Sequence, residues 1–151
     1  MEMNEQTVLR HTTHILVWLS GQYGEILTNY CAEFVGGDRL LAAEIAQQTL
    51  LEWPKSLAEF KRGSLEERLK STAARLCVPH TPQLIYNDWL HEDEVKGELS
   101  ESDRLLLFMV DNGLRPRNIA IIIGIKSGTI RTRIHRAKQR LERLLEASSN
   151  A

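Results

Sequence analysis

The chain has 151 residues, of which 42% are hydrophobic and 26% charged, a composition typical of a folded soluble protein and unlike that of a disordered one. No apolar run approaches the roughly 20 residues that a membrane-spanning helix needs, and the first residues lack the pattern of a secretory signal. The two cysteines, Cys31 and Cys77, are too few for a disulfide framework, so we expect a protein of the reducing cytoplasm.

The net charge of −1 conceals a split between two parts of the chain. Residues 1–100 carry 9 basic and 15 acidic side chains, whereas residues 101–151 carry 10 basic and 5 acidic ones. This asymmetry indicates different partners for the two parts, with nucleic acid the first candidate for the basic one. The alternative is that the basic part merely presents a solvated face.

Helical periodicity runs through the acidic part. Apolar residues three and four positions apart predict helices over residues 7–19, 23–35 and 38–53. Asp38 is expected to cap the third of these helices, and Leu40 is expected to lie on its buried side.

A proline and a serine mark the next boundaries. Pro54 is expected to end the third helix, because it lacks an N–H group and crowds the preceding turn. Ser64 and Glu67 have the spacing of a capping box and predict a fourth helix over residues 64–76.

The helical pattern breaks between residues 79 and 98, where two prolines and an acidic run predict a linker with one short helical turn at 84–90. Strand-like alternation is absent on both sides of it. The sequence therefore predicts an all-α protein with a helical domain over residues 1–78 and a second one over 99–151.

The second domain contains the spacing of a helix-turn-helix, which follows a short apolar helix predicted over residues 103–112. Pro116 suits the first turn of a helix, and counted from it Ala120 is the fifth residue, Gly124 the ninth and Ile130 the fifteenth. A small residue lets the two helices approach, a glycine accepts the left-handed turn, and a branched apolar residue fixes the second helix on the first.

The second helix of this motif, predicted over residues 127–147 with Ser127 as its cap, has two distinct faces. Its apolar stripe consists of Ile130, Ile134, Ala137, Leu141, Leu144 and Leu145. Such a helix presents N-terminal side chains to base edges in the major groove, while cations nearby contact phosphates. The candidate DNA-binding residues are Arg115, Arg117, Lys126, Ser127, Gly128, Thr129, Arg131, Thr132, Arg133, His135, Arg136, Lys138 and Gln139, with Arg140 and Arg143 as further phosphate contacts. The alternative is a three-helix protein-interaction module with an incidentally basic surface.

Two runs of this domain, LSESDR at residues 99–104 and above all GTIRTRIHRAKQRL at 128–141, carry a family resemblance. They resemble region 4 of bacterial RNA polymerase sigma factors of the extracytoplasmic-function type. In that family the domain reads the −35 promoter element and meets the β flap of polymerase. The resemblance therefore implies promoter DNA as a partner of the basic part.

A weaker resemblance extends into the acidic part. Residues 42–54, AAEIAQQTLLEWP, are similar to the region 2 helix that in the family docks on the β′ clamp helices of core RNA polymerase. The resemblance implies polymerase contacts through Glu44, Ile45, Gln47, Gln48 and Leu51.

The helix over residues 64–76 corresponds by resemblance to the one that meets −10 promoter DNA, but it is degenerate. The family helix usually has an aromatic residue near its start, and this sequence has none. The family's polar residues that hold a flipped base correspond here to Arg68 and residues 71–77. Single-strand capture relies on stacking surfaces and base pockets, so promoter melting does not follow. Basic residues that suit phosphate contact nearby are Lys55, Lys61, Arg62, Arg68, Lys70 and Arg75.

These features predict a sigma factor-like transcription regulator that binds core RNA polymerase through its N-terminal domain and −35-type promoter DNA through its C-terminal one. One alternative is a non-initiating sigma mimic that binds polymerase, a sigma factor or an anti-sigma protein without melting DNA. Another is a stand-alone dimeric repressor. We expect no enzyme, cofactor or small-molecule substrate, because phosphate-binding loops and nucleophile motifs are absent from the sequence. We also expect no metal site, since the pairs His11/His14 and Cys77/His80 lack the further ligands that zinc needs.

Overall fold

The computed structural model describes residues 5–81 and 99–149, with the side chains of 13–81, 99–100 and 102–147. These residues form seven α-helices and no strand, which confirms the predicted all-α class. The chain divides into two compact units, residues 1–80 and 81–151. None of the described helices is long and apolar enough to cross a membrane. The predicted turn at 84–90 lies outside the described residues.

The first unit begins with one long helix, α1 (Glu5–Phe34), where the sequence predicts two. Gly21 and Gly24 lie inside this helix, although a helical glycine costs about 1 kcal/mol relative to alanine. Leu19 and Leu27, on either side of them, are both buried and keep one apolar stripe in register. Packing of this stripe against two later helices outweighs the low propensity of the glycines, so the predicted break is wrong.

Helix α2 (Arg39–Leu51) starts as the sequence predicts. The Asp38 side chain accepts a hydrogen bond from the Leu41 N–H at 3.1 Å and so caps the helix. The expected burial of Leu40 is wrong, because this residue is 83% exposed on the side of α2 opposite the buried Ala42.

A short helix, α3 (Trp53–Glu59), follows where the sequence predicts only the end of the preceding helix. Helix α2 does end before Pro54, at Leu51. The same proline lies in the first turn of α3, where its missing N–H costs nothing because the first amide groups of a helix have no intrahelical partner.

Helix α4 (Leu65–Cys77) lies at the centre of the first unit. Ser64 caps it by accepting a hydrogen bond from the Glu67 N–H at 3.1 Å, as predicted. The helix packs against α1, α2 and α3, and each of its side chains is buried or half-buried. A 3-10 turn, Val78–His80, continues it to the end of the unit.

Polar side chains join α3 to α4. The hydroxyl groups of Ser56 and Thr72 are buried and hydrogen-bonded to each other at 2.6 Å. The guanidinium of Arg68 donates to the main-chain carbonyls of Leu57, at 2.7 Å, and of Phe60. A group buried without such a partner would cost about 1–3 kcal/mol, so these bonds hold the short helix in place.

The two cysteines meet inside the first unit. Cys31 of α1 and Cys77 of α4 are fully buried free thiols, and their side chains are hydrogen-bonded to each other. This bond, with burial, raises the pKa of Cys77. The other member of the Cys77/His80 pair, His80, is exposed. Within the part of the chain that the structure describes, no three His, Cys, Asp or Glu residues are grouped to hold a metal ion.

The second unit contains three helices, α5 (Glu101–Asp111), α6 (Pro116–Ile123) and α7 (Ser127–Ser149). Helix α7 packs against both of the others. One cluster in its core consists of Leu99, Leu107 and Ala137, with Leu141 and Leu144 packed against it. Leu145, predicted on the same stripe, is instead 39% exposed.

Candidate nucleic-acid interface

A tight turn joins α6 to α7. Pro116 occupies the first turn of α6, and Gly124 ends the helix in the left-handed conformation, with φ 82° and ψ 33°. The N–H groups of Gly124 and Ile125 both donate to the Ala120 carbonyl, at 2.8 and 3.0 Å. Ala120 and Ile130 are buried, as a helix-turn-helix requires of these positions. The predicted motif is confirmed.

The start of α7 differs by one residue from the prediction. The helix begins at Ser127, and the carbonyl of Lys126 accepts the bond from the Ile130 N–H at 3.1 Å. Lys126 therefore precedes the helix in the cap position, and Ser127, half-buried, belongs to its first turn. The expected capping role of Ser127 is wrong.

One side of α7 faces solvent along its whole N-terminal half, while Ile130, Ile134 and Ala137 are buried on the other. Apart from Ser127, every candidate DNA-binding residue is exposed: Arg115, Arg117, Lys126, Gly128, Thr129, Arg131, Thr132, Arg133, His135, Arg136, Lys138 and Gln139. Residues 127–140 include five cationic side chains and no acidic one. The fold thus presents a positive surface that a polyanion can approach; we call these twelve exposed residues the α7 face.

Arg140 has a role within the fold that the sequence does not predict. Its guanidinium forms an ion pair with the Asp103 carboxylate, which joins α7 to α5. The predicted phosphate contact would compete with this ion pair, and it stays a prediction. Sequence reasoning missed the pair, since its partners lie 37 positions apart and helical spacing gives no signal for it.

A second candidate surface lies on α2 of the first unit. Leu40, Glu44, Gln47 and Leu51 are exposed at positions i, i+4, i+7 and i+11, so they form one line along the helix, which we call the α2 stripe. Leu51 is 60% exposed. Leu40 is absent from the predicted set, although the helical spacing from Glu44 would have found it.

The two other predicted polymerase-contacting residues lie off the α2 stripe. Ile45 is 7% exposed and packs in the core, so its expected contact with polymerase is corrected to a structural role. Gln48 is exposed, and its side-chain amide donates to the Glu52 carboxylate at 3.2 Å. Beside the stripe, α1 and α2 enclose a groove of about 260 Å³, lined by Leu16, Ser20, Gln47, Leu50 and Leu51.

The basic residues around α4 divide into those that pair with or donate to neighbouring helices and those that are exposed. Arg75 pairs with Glu59 and, at 3.3 Å, with Glu52, while Lys70 pairs with Glu66 at 3.6 Å. Arg68 is held by the α3 carbonyls described above. The remaining three, Lys55, Lys61 and Arg62, are exposed near the connection between α3 and α4.

The geometry of the second unit is that of a DNA-binding helix-turn-helix domain. Residues 93–141 match the family model described as Sigma-70, region 4. The second unit thus carries a region 4 of the sigma-70 type, a DNA-binding domain of transcription. The match spans about a third of the chain and leaves α1 to α4 outside it. No curated protein matches the chain.

Proposed function

We propose that this protein is a sigma factor-like transcription regulator, which binds −35-type promoter DNA through the α7 face and core RNA polymerase through its first unit. The observation that carries the proposal is the exposed cationic α7 face, which lies on a helix-turn-helix inside the region 4 match. Since polymerase and chromosome share the cytoplasm, we place the activity there.

Two kinds of contact are assigned within the α7 face. Arg131, Thr132, His135 and Arg136 lie within the first three turns of α7, the part of such a helix that reaches base edges. Arg115 and the other flanking cations are assigned to phosphates, which fix the position of the domain without reading sequence. Because phosphate contacts release counterions, binding by the chain alone should be weak and should fall steeply with salt.

The DNA-binding assignment is tested by Arg131→Ala and Arg136→Ala. The probe is a −35-type duplex that the full chain, with core polymerase, enriches from a randomised pool. Each substitution is expected to weaken protection in a footprint roughly 5- to 150-fold, because a bidentate arginine contact to guanine contributes about 1–3 kcal/mol. Arg39→Ala, which removes the same charge from an exposed position of the first unit, is the control. If neither α7 variant changes the footprint, the assigned face is wrong.

The polymerase-binding assignment rests on the α2 stripe. Its two leucines are exposed at the ends and its two polar residues lie between them, a pattern that suits docking on another helical surface. Leu51→Asp places a charge beside the apolar groove and should abolish capture of core polymerase by the full chain. Ala58→Asp, at an exposed position of α3, adds the same charge elsewhere and should leave capture unchanged. Equal capture by both variants would contradict the assignment.

Helix α4 is covered by α1, α2 and α3, which favours a second candidate function. This candidate is a non-initiating sigma mimic that binds polymerase, a sigma factor or an anti-sigma protein. Residues 71–74 of α4 are buried, and Arg68 and Arg75 are bonded within the unit. Capture of an extruded base needs an open pocket or a stacking surface, which this helix does not offer in the described conformation.

Run-off transcription with purified core polymerase separates the two candidates. A transcript from the enriched promoter supports an initiating factor, whereas stable binding of core polymerase without a transcript supports the mimic. A stand-alone repressor would instead elute as a dimer and shift a palindromic duplex without polymerase.

A further inference from the structure

Thr132 is an exposed residue of the α7 face whose hydroxyl group is already engaged. The Thr132 Oγ1 donates to the main-chain carbonyl of Gly128, one turn earlier, at 3.1 Å. Serine and threonine commonly satisfy their hydroxyl in this way within a helix. The hydroxyl therefore has no donor left for another partner, and the methyl group, near the N-terminus of the helix, is the branch without a hydrogen-bonding role.

The engaged hydroxyl changes what this side chain offers a base pair. A free threonine hydroxyl can donate to guanine or accept from cytosine or adenine, so it distinguishes bases weakly. With its proton committed to Gly128, the Thr132 hydroxyl can still accept a hydrogen bond but no longer donates to a base, and the methyl group is the apolar branch of the side chain. Among the four bases only thymine presents an apolar group in the major groove, the methyl on C5.

We infer that Thr132 is a specificity-determining residue, whose methyl group contacts the 5-methyl group of a thymine in the bound element. This inference rests on the proposed DNA-binding function of the α7 face. It assigns thymine to one position of the recognised sequence and assigns the Thr132 hydroxyl to the helix rather than to DNA.

Two substitutions test the methyl group and the hydroxyl group of Thr132 separately. Thr132→Val keeps a methyl branch and removes the hydroxyl, whereas Thr132→Ser keeps the hydroxyl and removes the methyl. The probe is the enriched duplex defined above, in which each thymine is replaced in turn by deoxyuridine, which lacks only the 5-methyl group. Binding of the full chain is measured by fluorescence anisotropy, and far-UV circular dichroism checks that both variants are folded.

We expect one thymine of the duplex to be the position at which deoxyuridine weakens binding. Its replacement should weaken wild-type binding about fourfold, the effect of burying one methyl group, and Thr132→Val should show the same sensitivity. Thr132→Ser should bind the thymine and deoxyuridine duplexes equally. These three results together support the inference.

Two other results would contradict the inference that the Thr132 methyl group reads a thymine. If Thr132→Val loses affinity while Thr132→Ser keeps both affinity and sensitivity to deoxyuridine, the hydroxyl reads the base. If wild type tolerates deoxyuridine at every position, no thymine methyl is read. If Arg131→Ala weakens binding of the enriched duplex but the deoxyuridine and Thr132 results differ from those expected, only the inference about Thr132 is contradicted. If no duplex is enriched, both the proposed DNA-binding function and the inference are contradicted.

Discussion

The guanidinium of Arg75 lies between Glu59 and Glu52, and that of Arg140 lies against Asp103. Each arginine joins two or more helices, so part of its charge is compensated within the fold. Because these side chains are partly exposed, each pair is expected to contribute at most about 1 kcal/mol to stability. Their main consequence is that the positive charge available to DNA is smaller than the count of arginines suggests.

Tyr30 shows the opposite situation, a polar group that the fold leaves unsatisfied. Its hydroxyl is buried and has no hydrogen-bond partner among the described residues. Burial raises the pKa of Tyr30 above its ordinary value of 10.0, with smaller contributions from Cys77, Cys31 and Glu33. The folded state therefore favours the neutral phenol.

We expect Tyr30→Phe to stabilise the protein by about 1 kcal/mol at pH 7, because it removes a buried hydroxyl without a partner. The raised pKa stabilises the folded state fully below pH 10 and progressively less as the pH rises above that value, where the unfolded phenol ionises first. Urea unfolding at pH 7, 9 and 10.5 should thus show a smaller alkaline loss of stability in Tyr30→Phe than in wild type. Parallel losses in the two proteins would show that Tyr30 is not the responsible group.

At the scale of elements, the α6–α7 turn positions the α7 face, to which we assign DNA binding. Gly124 adopts φ 82°, a conformation that costs an alanine about 1–2 kcal/mol, and a Cβ atom there would meet no neighbour within 4 Å. The cost of a side chain at this position is therefore one of backbone strain alone.

Gly124→Ala should lower the free energy of unfolding by about 1–2 kcal/mol. Gly128→Ala is the matched control: that glycine lies inside α7 with open space around it, so alanine should stabilise the helix by up to about 1 kcal/mol. Thermal unfolding of both variants checks the opposite signs. A stabilised Gly124→Ala protein would contradict the left-handed turn.

The sequence predicts an element well where the signal is local. Asp38, Ser64 and Gly124 each act within a few residues of their own position, and all three mark boundaries correctly. It fails where packing between helices decides the outcome. The two glycines of α1 are overridden by burial along a 30-residue helix, and α3 is stabilised by α4 side chains distant in sequence.

The candidate sites are likewise predicted well where a single helix determines them and less well where packing between helices does. Amphipathic periodicity identifies the exposed side of α7 almost completely, because one helix determines it. The α2 stripe is predicted less well, since a resemblance assigned Ile45 to the surface and periodicity assigned Leu40 to the core. Ion pairs such as Arg140 with Asp103 need the tertiary structure, because no sequence rule connects their positions.

At the scale of the whole molecule, the net charge of −1 is the sum of two unlike parts. The basic part includes the helix-turn-helix, and its cations are concentrated on the face opposite the core. The acidic part includes the α2 stripe and the covered helix α4, an arrangement that suits protein docking better than a second contact with DNA. The two parts together fit a protein that connects polymerase to a promoter.

The formation of a ternary complex tests this account most directly. The full chain, core RNA polymerase and the enriched duplex are mixed at physiological salt and separated by a mobility-shift gel. We expect a slow complex that contains all three components and is lost both with Leu51→Asp and with the double substitution Arg131→Ala, Arg136→Ala, while Ala58→Asp and Arg39→Ala retain it. A complex that forms equally with all four variants, or a chain that binds the duplex as well without polymerase as with it, would contradict the account.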